Sequence, residues 1–176
     1  LINYAATFAV GFILSLYFQY TRNLSPAETG AILMIQPAVM AVFATFSGRL
    51  SDKYDSRILS SLGMLISAFG VGMLAFTSLE TPMQFFFVAL VILGLGFGFF
   101  STPNTHSVMN SVNPEQFGTA SATLSTMRIS GQMTSMGMAT LFISWIIGSQ
   151  KVNTSNASLF IDVMQYVFGI FFFLIL

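Results

Sequence analysis

Arg128 is the one charge that falls well inside an apolar stretch of this 176-residue chain. An unpaired guanidinium in a membrane interior costs roughly 3 kcal/mol, so a residue so placed marks a functional or gating position unless it lies close enough to an edge to snorkel into water. It has polar company. Ser121, Ser125, Arg128, Gln132, Ser135 and Ala139 recur at alternating steps of four and three, which sets them on one helical face. That face should look onto a water-filled cavity or another helix, not onto lipid. No acidic residue lies at matching depth to pair with Arg128. Gln36 directly precedes Pro37, an amide beside a helix kink, suited to a cavity wall or to an interhelical hydrogen bond. Asn3, Thr7, Gly11, Ser15 and Gln19 form a slowly winding small-polar track with the Tyr4 ring near its start. Asn104, near the end of another apolar run, would line an exit or cap its helix. In a cavity wall such residues would meet the polar groups of a small molecule; against another helix they would serve packing.

They do not make an enzyme. Catalysis inside a membrane needs a nucleophile with a base, paired carboxylates or metal ligands. The single histidine, His106, falls at an edge, cysteine is absent, and the apolar runs hold no carboxylate pair, so no metal or cofactor site is expected. Gly94, Gly96 and Gly98 are not a phosphate-binding loop, since no strand precedes them and the spacing is wrong. Gly94 and Gly98 instead make a small-x-x-x-small packing face, matched by Ser60, Gly63, Ser67 and Gly70. Net charge is zero and the six basic residues are scattered, which argues against nucleic acid as a partner.

The elements that must position these residues follow from composition. Fifty-five per cent of the chain is hydrophobic and only 7% charged, a balance that places it in a lipid bilayer rather than in water. The apolar runs are continuous rather than alternating, so they are helices and not strands of a closed barrel. Six spans are expected near residues 1–20, 27–48, 57–78, 83–104, 117–147 and 159–176, joined by short loops into an all-α bundle. Ser25-Pro26-Ala27-Glu28 and Asn113-Pro114-Glu115-Gln116 carry the same helix-start signature ahead of spans two and five, on opposite membrane faces. An inverted three-plus-three repeat would place them so, although proline caps are also common wherever helices begin.

Five of the twelve charged residues crowd into Gly48-Arg-Leu-Ser-Asp-Lys-Tyr-Asp-Ser-Arg57, between spans two and three. Such a cluster sits in water. The short loops on that face carry Arg49, Lys53 and Arg57 against Arg22 and Lys151 on the other, so the charged turn is expected to be cytoplasmic. Its order also suggests a latch: a glycine where helices approach closely, a carboxylate at Asp52 four residues on, and a guanidinium at Arg57 able to hold and release it. The turn resembles the signature loop of the major facilitator superfamily, and Gly48, Leu50, Ser51, Asp52, Lys53, Asp55 and Arg57 all match that pattern. Ile58 departs from it where a second basic residue is common, as in the copy carried by the carboxy-terminal half of these transporters.

Other motifs fit the same placement. Gly94-Leu-Gly-Phe-Gly98 with Pro103-Asn104, then Gly118-Thr-Ala-Ser121 with Met127-Arg128 and Gly131, look like the corresponding spans of EmrB/QacA-type drug/proton antiporters, as do Ser15 to Gln19 and Ser25 to Gly30. The resemblance implies that residues 1–176 are the carboxy-terminal six-helix half of such a transporter, cut at both ends. It further implies a multi-pass protein of the plasma (inner) membrane that exports lipophilic or cationic drugs by alternating access. Its partners would be the amino-terminal half, the lipid bilayer, a small-molecule substrate and protons, with the proton-carrying carboxylate in the absent half. Gly48, Asp52, Lys53 and Arg57 would form the conformational latch, and Gln19, Gln36, Asn104, Arg128 and Gln132 the substrate or cavity residues. Gly63, Gly70, Gly94 and Gly98 would be packing positions. The 11 methionines and 20 phenylalanines would supply an adaptable apolar wall. Transport of a metabolite or other solute, or a non-transporting assembly or sensor subunit, are the alternatives.

Overall fold

The computed structural model describes residues 1–51, 53–148 and 157–176. Asp52 and Lys151, which enter the latch and orientation expectations, lie outside the described residues. Helix α1 (Ile2–Leu16) continues into a π-helical turn at Tyr17–Thr21. Helices α2 (Pro26–Leu33) and α3 (Ile35–Ser51) form one bent second span. They are followed by α4 (Ser56–Ala75), α5 (Met83–Met109), α6 (Phe117–Ile146) and α7 (Ala157–Ile175). Five of the six spans are both long and apolar enough to cross a bilayer. The exception is α6, whose 30 residues suffice in length but whose serines, threonines, Gln132 and Arg128 lower its hydropathy. The protein is an all-α, multi-pass integral membrane protein.

The packing partners exchange when the first three spans are swapped with the last three. Helix α1 packs on α6 as α5 packs on α3; α4 packs on α5 as α7 packs on α1; and α4 and α7 pack on each other. That reciprocity is the signature of a three-plus-three repeat. The capping motifs, by contrast, are not equivalent. Ser25 forms a full capping box, its Oγ accepting from Glu28 N at 3.3 Å while Ser25 N donates to Glu28 Oε2 at 2.8 Å. Asn113 makes no side-chain cap, and a 3-10 turn at Pro114–Gln116 leads into α6 instead. The expected match between the two loops therefore fails at the level of hydrogen bonds and survives in the packing.

Helix α5 lies between α3 and α4, and its glycines explain how. At 100° per residue, Gly94 and Gly98 share a face while Gly96 points the opposite way. A Cβ on Gly94 would lie 2.5 Å from Gln36 O, and one on Gly98 3.1 Å from Met40 O, both on α3. A Cβ on Gly96 would lie 2.5 Å from Ser67 N, and one on Gly63 2.5 Å from Phe100 N, across the α4–α5 seam. Gly70 faces Leu93 on the same seam. Where α3 meets α5, buried Ser47 donates from Oγ to Gly98 O at 2.8 Å.

Each end of the bundle has its own tie. Arg22, just after the π-helical turn, donates from Nε to Tyr17 Oη at 2.9 Å and from Nη2 to Leu79 O and Thr81 O at 3.1 and 2.6 Å. It thereby joins the α1–α2 and α4–α5 connections at one end. At the other end Ser56 Oγ and His106 Nδ1 lie 3.2 Å apart, linking the start of α4 to the last turn of α5. The apolar core between them is built mainly from α1 with its π-helical turn, α4, α5 and α7, joined by Ala139 of α6, with Tyr17, Phe18 and Phe86 fully buried against one another.

Candidate functional site

Two helices bend or lengthen around prolines, and both effects shape the site. Pro37 has no N–H to give the Leu33 carbonyl, so α2 ends at Leu33 and the chain turns at Met34 before α3 resumes. Gln36 and Pro37 thus stand in the first turn of α3, at the bend. In α5 the helix runs through Pro103 to Met109, where the sequence suggested an end near residue 104. Asn104 is therefore an interior helical residue and not a cap, because Asn110 takes the C-terminal position.

The bend opens a cavity of about 650 Å³ between four helices. Helix α1 contributes Tyr4, Thr7, Phe8, Gly11, Phe12 and Ser15; the bent span contributes Leu33, Gln36, Pro37 and Met40. Phe97 and Ser101 of α5 and Arg128 and Gln132 of α6 complete the wall. Tyr4 is 7% exposed and held edge-on by Phe97 and Phe100, with ring centroids 5.3 and 5.7 Å away. Over it lies Arg128, its guanidinium carbon 5.0 Å from the Tyr4 ring centroid and its Nη2 donating to Tyr4 Oη at 3.5 Å. A cation over a ring face is stabilised by the ring quadrupole, and a hydrogen bond that long leaves most donor capacity of Arg128 for something else. Among the described residues no carboxylate lines the cavity.

Of the residues singled out from sequence, Gln36, Arg128 and Gln132 meet in this cavity; Gln19 and Asn104 do not line it. The α1 track explains the first absence. Steps of four advance 400°, so each position drifts 40° and the ends of a five-member track rotate off the face its middle occupies. Thr7, Gly11 and Ser15 line the cavity. Gln19 instead donates from Nε2 to Ser15 Oγ at 2.9 Å, and Asn3 is 2% exposed with neither side-chain polar atom partnered. The α6 stripe, whose alternating steps of four and three keep it on one face, divides along the length of the helix instead. Arg128 and Gln132 line the cavity, Ser135 and Ala139 are buried, and Ser121 and Ser125 stay exposed.

Tyr4 as the neighbour of Arg128 was beyond the sequence reading, since 124 positions separate them. The available signal was that Tyr4 falls three residues before Thr7, on the side that Gly11 and Ser15 continue. Ser101 and Phe97 carried no signal apart from their helix. In the charged turn, a Cβ on Gly48 would meet Thr102 Cγ2 at 3.5 Å, ordinary contact between α3 and α5. Lys53 and Arg57 are exposed, and Asp55 Oδ1 accepts from Arg57 N at 2.9 Å, which commits Asp55 to capping α4.

The family model for the Major Facilitator Superfamily matches residues 1–176. The chain belongs to the major facilitator superfamily. Membership in this superfamily points to a transporter rather than an enzyme. Among its relatives, the "Riboflavin transporter RibZ" of Clostridioides difficile is 36% identical over 126 residues, 71% of this chain and 27% of that protein. The "Uncharacterized transporter YebQ" of Escherichia coli is 30% identical over 131 residues, 74% of this chain and 29% of that protein. The "Colistin resistance protein EmrB" of Acinetobacter baumannii is 22% identical over 141 residues, 80% of this chain and 28% of that protein. The chain therefore matches less than a third of the length of these relatives.

Proposed function

We propose that this chain is the carboxy-terminal half of a secondary transporter that exports small, largely apolar molecules by alternating access, with proton antiport as the driving force. The observation that carries the reading is the cavity. Four helices converge Arg128, Gln36, Gln132, Thr7 and Ser15 on one space of about 650 Å³, within the range of small-molecule sites. A purely structural bundle has no reason to hold polar groups around an unfilled volume.

The amino-terminal half is the proposed partner. The bent second span and α6, the middle members of the two triplets, present Met34, Val42 and Phe46, and Met133, Leu141 and Trp145, as exposed apolar surface that a second bundle would cover. The proton-carrying carboxylate would belong to that half, because the described cavity wall has none. Gly48, Asp52, Lys53 and Arg57 would act as the latch at the cytoplasmic end, and the glycine seams of α5 would let helices shift without side-chain collision. The plasma (inner) membrane is the proposed location.

A second reading, transport of a metabolite, is favoured by the 36% identity to a protein named as a riboflavin transporter. Gly11 offers a test common to both. Nothing lies within 4 Å of a Cβ built there and Gly11 lines the cavity, so Gly11→Phe places a ring at the cavity wall. In cells expressing the full-length protein, the variant is expected to reach the membrane at wild-type levels and to lose most transport. Wild-type transport by Gly11→Phe would refute the cavity as the substrate site.

A further inference from the structure

The cavity wall has a sign. Arg128 is its single charged residue among those described, its nearest polar neighbour is the neutral Tyr4 hydroxyl, and its other polar members are amides and hydroxyls. A cation on the cavity wall repels a second cation that comes within a few ångströms of it, even where water enters the cavity and weakens the repulsion. It attracts carboxylate, phosphate or imide oxygens, which a planar guanidinium engages through two parallel N–H groups. Aromatic rings make up much of the rest of the wall: Tyr4, Phe8 and Phe12 from α1 and Phe97 from α5, beside the aliphatic Leu33, Pro37 and Met40. Gln36 and Gln132 each offer both a donor and an acceptor, so they read heteroatoms on a ring edge without adding charge.

We infer that this site selects planar aromatic compounds that are anionic or rich in carbonyl and imide acceptors, and discriminates against the lipophilic cations that the family resemblance implies. The inference rests on the cavity being the transport site. Arg128 is the residue that sets the preference, and its guanidinium lies over the Tyr4 ring on the cavity wall.

Fluorescein and rhodamine 123 share a three-ring core and differ in charge, anionic against cationic, so they isolate the sign of the site. Binding of each to the full-length transporter in lipid nanodiscs is read by fluorescence anisotropy. Wild type is expected to bind fluorescein at least tenfold more tightly than rhodamine 123. Arg128→Gln is expected to remove that preference by weakening fluorescein and strengthening rhodamine 123, whereas Arg128→Lys keeps part of it. Equal or tighter binding of rhodamine 123 by wild type, or equal loss of both dyes in Arg128→Gln, overturns the charge inference. Gly11→Phe separates this from the underlying reading: it should weaken whichever dye binds. Dye binding that ignores Gly11→Phe, or no binding of either dye to wild type, overturns the cavity reading and the inference with it.

Discussion

Replacing Gly63 by alanine should separate α4 from α5. The added Cβ would lie 2.5 Å from Phe100 N, 2.7 Å from Phe99 C and 2.8 Å from Gly96 O, whereas ordinary contact begins at 3.4 Å. All three obstacles are backbone, so no side chain can rotate away; the two helices must part by roughly 1 Å, which forfeits a quarter to a half of the dispersion attraction along the seam. Over-packing of this kind costs about 1–3 kcal/mol. Alanine regains about 0.5–1 kcal/mol of helix propensity, leaving a net loss of about 1–2 kcal/mol. Gly137 and Gly169 are the internal controls, because a Cβ at either meets nothing within 4 Å. Gly137→Ala and Gly169→Ala should be neutral or stabilising by up to about 1 kcal/mol. Unfolding of the purified protein in mixed micelles, titrated with SDS and followed by circular dichroism, measures the difference. If Gly63→Ala is as stable as Gly137→Ala, the helices are not in backbone contact at this seam and the packing described for α5 is wrong.

Arg22→Ala removes three hydrogen bonds to Tyr17, Leu79 and Thr81, and should destabilise the bundle by about 2 kcal/mol in the same unfolding assay. Arg22→Lys should recover only part of this, as an ammonium lacks the fork that spans both carbonyls; full recovery would show that charge alone matters. Asp52→Lys is expected to abolish transport by the full-length protein while leaving its insertion and abundance unchanged, and normal transport by that variant would dismiss the latch.

Much of the fold was legible because bilayer physics leaves few choices: continuous apolar runs must be helices, and short loops make neighbouring helices antiparallel. The split of Gly94, Gly96 and Gly98 onto two faces was also implicit in helical geometry, though only the coordinates assign α3 to one face and α4 to the other. Helix ends were less legible. The fourth span is expected from sequence to end near residue 104, yet α5 continues to Met109, since a proline inside a packed helix loses one hydrogen bond and still gains the packing of Phe97 and Phe100. The cavity was half legible. Arg128 and Gln132 stand out on α6 because charged and amide residues are rare in the apolar runs. Tyr4 could be placed on the α1 track but not against Arg128, whereas Phe12 and Ser101 resemble dozens of other apolar or small residues and acquire meaning only from the crossing of α1, α3 and α5.

Cysteine is absent from the chain, so single cysteines placed in it report water directly, once any elsewhere in the full-length protein are replaced. Thr7→Cys and Gln132→Cys stand in the cavity wall, while Phe69→Cys and Phe173→Cys replace side chains 62% and 77% exposed on the outer helices α4 and α7. A membrane-impermeant methanethiosulfonate reagent is expected to label the first pair and to block transport on labelling, and to leave the second pair unmodified in lipid. Labelling of Phe69→Cys and Phe173→Cys with Thr7→Cys and Gln132→Cys protected would contradict a water-accessible substrate cavity between α1, α3, α5 and α6.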